Sequence, residues 1–164
     1  MRYLQIKNND VLNGDGLRIT IFVSGCDVHC EHCHNPESWD FNCGNEFTEK
    51  EENYIFKQLK KPTIDGITFT GGHPLAPQNI TTITDLCKKI KTKFPNKTIW
   101  LYTGYLYENI KSLDVMQYVD VLVDGPYIHR LRNLTKQWCG SENQRVIDLN
   151  KTRELNKIVL KKEG

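Results

Sequence analysis

The sequence predicts an α/β domain: a curved, open parallel sheet with helical crossovers, equivalent to part of a TIM-type barrel. Three observations carry this. Strand-like and helix-like segments alternate along the chain, which implies parallel pairing with helical crossovers. Each unusual sequence follows a predicted strand, as expected where ligands bind beyond the carboxyl ends of parallel strands. The chain has 164 residues, fewer than the roughly 250 of an eight-unit barrel, so the sheet is expected to remain open.

The first predicted strand covers residues 17–23, rich in β-branched and aromatic side chains, and runs directly into a cysteine-bearing loop. Thr48 and Glu51 match a capping box and open a helix that extends to about Lys60. Residues 66–70 form the second strand, stopped by Gly71 and Gly72. Apolar residues at Ile80, Ile83, Leu86, Cys87 and Ile90 keep a helical period through about Lys93. A third strand, 98–102, ends at Thr103-Gly104. Short helical stretches follow at 107–113 and 115–118, then a fourth strand, 119–123, ending at Asp124-Gly125-Pro126. Residues 135–148 are expected to close one edge of the sheet. No repeat or linker divides the chain, so 1–164 reads as a single domain. Its last part, from about 150, reads as a basic tail carrying Lys151, Arg153, Lys157, Lys161 and Lys162. Partial disorder is the expectation there, and contact with an acidic partner surface the alternative.

Hydrophobic residues make up 38% and charged residues 26%, ordinary for a globular chain able to bury a core. Net charge is +2, which gives no reason to expect wholesale nucleic-acid binding. The lysine runs at 60–61 and 88–93 read as solvated helix surface. No apolar run approaches the roughly 20 residues of a membrane span, and the first residues lack a signal-peptide block. The expected location is the cytoplasm, where thiols stay reduced. The six cysteines are therefore not read as three disulfides. Cys87 reads as a small buried residue of its helix. Cys43 and Cys139 lie in loop-like surroundings, where redox activity is the less favoured reading.

Cys26, Cys30 and Cys33 are spaced C-x3-C-x2-C. Soft thiolates gathered on one loop can hold zinc or an iron–sulfur cluster. Three ligands leave one corner of a four-iron cluster open, and an open metal site is where substrate binds. A zinc interaction module is the competing reading, with His29, His32, His34 or Cys43 supplying the fourth ligand. Gly71 and Gly72 lack side chains, so a ligand can approach their backbone closely.

With its Gly-Gly turn after a second strand, this cysteine loop resembles the radical S-adenosylmethionine superfamily. Further stretches, at 11–16, 70–75, 100–105, 120–126 and 140–145, narrow the match. Over about residues 1–149 the chain resembles the anaerobic ribonucleoside-triphosphate reductase activating proteins. The resemblance implies that Cys26, Cys30 and Cys33 ligate a 4Fe-4S cluster whose fourth iron is chelated by S-adenosylmethionine. It implies a 5′-deoxyadenosyl radical that takes hydrogen from a glycine-bearing loop of the reductase large subunit. It also implies a reduced, flavodoxin-like electron donor. Cofactor contacts would come from His32, Cys33 and His34, and from the Gly71-Gly72 turn at the methionine amino group. No protein acid–base pair is required for that step.

Some positions depart from the pattern or remain open. His73 stands where the superfamily usually has an acidic residue, which favours a backbone role for the turn. Cys139 stands where a basic residue is expected. Asp124 and Arg145 either line the open face or form a turn and a surface salt bridge. An open sheet would leave a partner protein to supply the missing wall of the site. Another radical S-adenosylmethionine enzyme is the nearest alternative, although relatives of that kind are generally longer.

Overall fold

The computed structural model describes residues 1–163, and among these seven strands form one sheet. They are β1 (Arg2–Asp10), β2 (Arg18–Val23), β3 (Asn45–Glu46), β4 (Gly66–Gly71), β5 (Thr98–Tyr102), β6 (Val121–Asp124) and β7 (Arg145–Asp148). Their order across the sheet is β3-β1-β2-β4-β5-β6-β7. The helices are α1 (Glu49–Leu59), α2 (Ile80–Lys93), α3 (Tyr107–Ile110) and α4 (Leu149–Leu155). As the sequence predicts, Thr48 caps α1 in a full capping box with Glu51. The second of the short helical stretches is a 3-10 turn, Asp114–Gln117.

Parallel pairing holds at the centre of the sheet, from β2 through β4 and β5 to β6. Both flanks correct the all-parallel expectation. β1 pairs antiparallel with β2 and β3, and β7 pairs antiparallel with β6. The reason is connection length. Residues 11–17 between β1 and β2 are too few for a crossover, which takes a dozen residues or more, so the chain doubles back. Residues 125–144 between β6 and β7 are longer but contain only a 3-10 turn, His129–Leu131. With no crossover helix they fold over the sheet edge and return antiparallel. β7 thereby closes that edge, as expected for residues 135–148. The architecture is thus an open, mixed, mostly parallel sheet.

Side-chain alternation divides the sheet into two faces. Ile19, Ile21, Ile67, Phe69, Ile99, Leu101, Leu122 and Ile147 pair across the strands on one face. They form the main core with Ile55 and Leu59 of α1 and Ile83, Leu86, Cys87 and Ile90 of α2. Cys87 is fully buried there, as the helical period predicts.

The opposite face holds a smaller apolar cluster of Trp100, Val121, Val123 and Val146, with Trp138 and Cys139 packed on it. Beside that cluster, at the amino end of β2, lies Arg18, 1% exposed. Its Nε donates to Thr68 Oγ1, Nη1 to Asp15 O and Thr98 Oγ1, and Nη2 to Ile67 O and Thr98 O, all at 2.8–2.9 Å. All five guanidinium donors are satisfied, and the group lies over the Trp100 ring. Burial lowers its pKa to about 10. Arg18 therefore fills the amino end of β2 on this face, and the cleft bordered by the cysteine loop lies at the carboxyl end.

The basic tail is ordered, against expectation. Asp148 caps α4 by accepting from Lys151 N, and Leu149 and Thr152 are buried. Arg153 donates to Met116 O and Val119 O. Lys161 N donates to Val146 O beside a bridge between Ile147 and Leu160. Lys151, Lys157 and Lys162 are exposed, whereas Lys161 lies over the Trp100 ring and pairs with Asp15 at 3.6 Å. Gly164 lies outside the described residues.

Candidate metal centre

At the carboxyl ends of the parallel strands is a cleft of about 290 Å³. Cys26, Cys30, Cys33 and His34 line it from the loop after β2, and Gly71 and Gly72 from the turn after β4. Thr103 and Gly104 after β5, Gly125 and Tyr127 after β6, and Gln144 before β7 complete the wall. Four separate strand ends thus contribute to one site, the arrangement open α/β sheets use for ligands.

The cysteine loop leaves β2 through Gly25, whose backbone has φ +91°, a conformation suited to glycine. Gly25 N donates to Ser38 O at 2.7 Å and Cys26 N to Trp39 O at 3.2 Å, which sets the loop on the 3-10 turn Pro36–Trp39. Within the loop His29 and His32 adopt left-handed backbone, a region in which histidine is enriched among non-glycine residues. The three loop thiols are partly exposed and unpaired. Burial pushes the Cys30 thiol up, beyond what a backbone hydrogen bond from Tyr127 offsets, and Cys26 and Cys33 add to the shift. Ligation by a cation would reverse this by favouring the thiolate.

The Gly-Gly turn is shaped first by its own chain. A Cβ on Gly71, at φ +103°, would stand 2.6 Å from Val23 N, and one on Gly72 would overlap the Gly25 carbonyl. Gly72 N donates to Val23 O at 2.8 Å and His73 N to Gly25 O at 2.7 Å. The turn therefore continues the β2–β4 pairing into the base of the cysteine loop.

His73 is 2% exposed. Its Nδ1 lies 2.6 Å from Asp27 Oδ1 and its Nε2 2.7 Å from Thr103 Oγ1. The Tyr105 hydroxyl donates to the other Asp27 oxygen, and Tyr105 N donates to Thr103 Oγ1 at 3.0 Å. Burial raises the Asp27 pKa, but the hydrogen bonds from Tyr105 and His73 outweigh it and leave the carboxyl below its ordinary value. For His73 burial dominates and lowers the pKa. Sequence reasoning had not singled out Asp27, Thr103 or Tyr105 as individual site residues. The signals were positional: Asp27 lies in the cysteine loop, and Thr103 and Tyr105 lie in the 100–105 stretch at the end of a predicted strand.

Of the residues expected to contact a cofactor, the structure brings Cys33, His34, Gly71 and Gly72 together. The His32 side chain lies elsewhere, in a neighbouring pocket with Glu31 and His129, its ring 4.4 Å from that of His129. Asp124 and Arg145 form a structural pair rather than cleft lining. Arg145 Nε donates to the fully buried Asp124 at 3.0 Å, and Nη1 and Nη2 grip Glu108 at 2.9 and 2.8 Å. The 140–145 stretch braces itself. Gln144 Oε1 accepts from Gly140 N and Ser141 N, and Gln144 Nε2 donates to Gly125 O. Burial also pushes the Cys139 thiol up, which argues against a reactive thiol there.

The donor set suits an iron–sulfur cluster. Three thiols and the buried indole N–H of Trp39, which has no partner among the described residues, border the same cleft. Of the possible fourth zinc ligands only His34 lines it. His29 is stacked on Trp39 and the Cys43 thiol donates to Asp40 O. Among the described residues, no group of three His, Cys, Asp or Glu converges as a single-ion site.

Comparison with known proteins agrees with this chemistry. The family described as "4Fe-4S single cluster domain" matches residues 12–147. An anaerobic ribonucleoside-triphosphate reductase-activating protein of Enterobacteria phage T4 is 44% identical over 89% of this chain and 93% of its own length. Proteins of the same name from Haemophilus influenzae and Escherichia coli are each 39% identical, over 88% of this chain and 96% of their own lengths. The chain belongs to the anaerobic ribonucleoside-triphosphate reductase-activating protein family.

Proposed function

We propose that this protein is a radical S-adenosylmethionine enzyme that activates an anaerobic ribonucleoside-triphosphate reductase by placing a glycyl radical on it. The observation that carries the reading is the shared cleft. Three thiols share one cleft with a Gly-Gly turn at the carboxyl edge of a parallel sheet. In this reading Cys26, Cys30 and Cys33 hold a 4Fe-4S cluster, and the sheet is a fragment of a TIM-type barrel. When bound, the cluster would deliver one electron to the sulfonium of S-adenosylmethionine, giving methionine and a 5′-deoxyadenosyl radical that takes a hydrogen atom from the reductase glycine.

The chain's own residues position and enclose. His34 and the backbone of Gly71 and Gly72 border the cofactor side of the cleft, and His32 contributes through its backbone alone. Thr103, Gly104 and Tyr127 form the facing wall. A volume of about 290 Å³ is at the small end for ligand sites, roughly 300–1,000 Å³. A bound nucleoside would therefore extend to the mouth, where the glycine-bearing loop of the reductase would cover it and exclude water. A reduced flavodoxin-like protein is the proposed electron donor and the cytoplasm the proposed location. No described helix is long and apolar enough to cross a membrane.

The test is anaerobic reconstitution followed by incubation with an anaerobic reductase, S-adenosylmethionine and reductant. Expected are a brown protein that bleaches on reduction, methionine release, and a glycyl radical by electron paramagnetic resonance. A colourless zinc protein would overturn the reading. Methionine release without a glycyl radical would remove the proposed partner.

A further inference from the structure

Cys26 is fixed from both sides by one residue on another strand end. His73 N donates to the carbonyl of Gly25, which precedes Cys26, at 2.7 Å. The His73 imidazole meets the carboxylate of Asp27, which follows Cys26, at 2.6 Å. Asn79 Nδ2 completes the hold by donating at 3.0 Å to both Ser24 O and His73 O. Cys30 and Cys33 lie farther along the loop, where a backbone hydrogen bond from Tyr127 reaches the Cys30 thiol. Their part of the loop is joined by a Cys33 N to Cys30 O bond at 3.1 Å.

With a neutral imidazole and an ionised Asp27, the hydrogen bonds around His73 fit one proton arrangement. An ionised carboxylate only accepts, so Nδ1 carries the proton that goes to Asp27. Nε2 then accepts from the Thr103 hydroxyl at 2.7 Å. Thr103 Oγ1 in turn accepts from Tyr105 N at 3.0 Å, and the Tyr105 hydroxyl donates to the second Asp27 oxygen. Both ring nitrogens are used, which leaves His73 no free valence for a metal or ligand. Its connections run from the cysteine loop to the end of β5, across the floor of the cleft.

We infer that His73 is a positioning residue. With Asp27 it latches the cysteine loop to the Thr103 end of β5 and so fixes Cys26 relative to the cofactor side of the cleft. This rests on the reading of the cleft as a cluster and S-adenosylmethionine site. Partners of this kind, which orient ligands without binding metal, typically change metal affinity or activity roughly 10–100-fold when removed. The latch is also sensitive to charge. A carboxylate at position 73 would face the Asp27 carboxylate with no proton between them, whereas a carboxylate at 73 facing an amide at 27 would restore the bridge.

The experiment uses the full chain, reconstituted anaerobically, as wild type, His73→Glu, Asp27→Asn and the double variant. Iron and sulfide per chain are measured, together with the change in the reduced cluster's electron paramagnetic resonance spectrum on adding S-adenosylmethionine. Thermal melting of each cluster-free chain reports folding. Expected is a drop of roughly 10-fold in the S-adenosylmethionine affinity read from that spectral change for His73→Glu. Asp27→Asn alone is mild, and the double variant regains most of the loss, a coupling that independent sites would not show. A folded His73→Glu variant that matches wild type overturns the latch, as does a double variant no better than the single. If His73→Glu fails to fold, Asp27→Ala against Asp27→Asn decides: the alanine variant loses the spectral response and the asparagine keeps it, and equal behaviour overturns the proposal. A wild-type chain whose reduced cluster ignores S-adenosylmethionine overturns the reading of the centre and the latch together. A responsive wild type with no rescue overturns the latch alone.

Discussion

Gly72 is pressed against the carbonyl of Gly25, with no room between them for a side chain. The contact joins the turn after β4 to the residue that launches the cysteine loop. Gly72→Ala must push the two strand ends apart, and overpacking of this kind costs about 1–3 kcal/mol. Urea denaturation of the cluster-free chain should show a lower midpoint with an unchanged slope. Unchanged stability would mean that the glycine serves only the approach of a ligand.

Iron content should separate the cysteines into two groups. Alanine at Cys26, Cys30 or Cys33, which line the cleft, should each leave the reconstituted chain without a stable 4Fe-4S cluster. Alanine at Cys43 or Cys139 should leave iron per chain at the wild-type level. The Cys43 thiol is engaged with Asp40 O, and Cys139 packs beside Trp138 on the apolar cluster around Trp100. Loss of iron in the Cys43 variant would bring back a four-cysteine site.

The parts of the fold legible in the sequence are those whose signal is local. The central strands carry β-branched residues on a face buried by helices, and α1 announces itself through Thr48 and Glu51. β1 escaped because its residues are mostly half-buried and its pairing is broken by register shifts, which blurs the alternation. β7 has only Val146 and Ile147 as apolar residues. The same distinction applies to the site. Cysteine spacing and paired glycines are visible in a few consecutive residues. Asp27 and His73 are 46 positions apart, and they meet only because β2 and β4 pair in parallel with Val23 opposite Gly71. Nothing local encodes that register.

The ordered tail gives a third prediction. Leu149 is 1% exposed and joins the main core under β6 and β7. Leu149→Ala leaves a cavity, and such truncations cost about 2–5 kcal/mol. The loss should appear in urea denaturation, with faster tryptic cleavage after Lys151 and Arg153 as α4 loosens. A variant as stable as wild type would mean that the segment contributes nothing to the fold.

The last prediction concerns acid stability. Hydrogen bonds from Arg145 hold the Glu108 carboxyl down at about 2, below its ordinary 4.5. A carboxyl whose pKa is lowered on folding stabilises the native state above its unfolded pKa, and this contribution is lost as pH falls through the folded value. The Glu108 contribution should therefore be complete above about pH 4.5 and vanish toward about pH 2. Glu108 is half exposed, so solvent screening limits the effect to at most about 1 kcal/mol. Glu108→Gln should be less stable than wild type by that amount at neutral pH and low salt, and the two chains should converge on acidification. High salt should also narrow the gap, because exposed ion pairs are screened. Denaturation midpoints measured across this range decide the matter: a gap that is constant with pH and salt would assign the role of Glu108 to packing on Arg145 rather than to its charge.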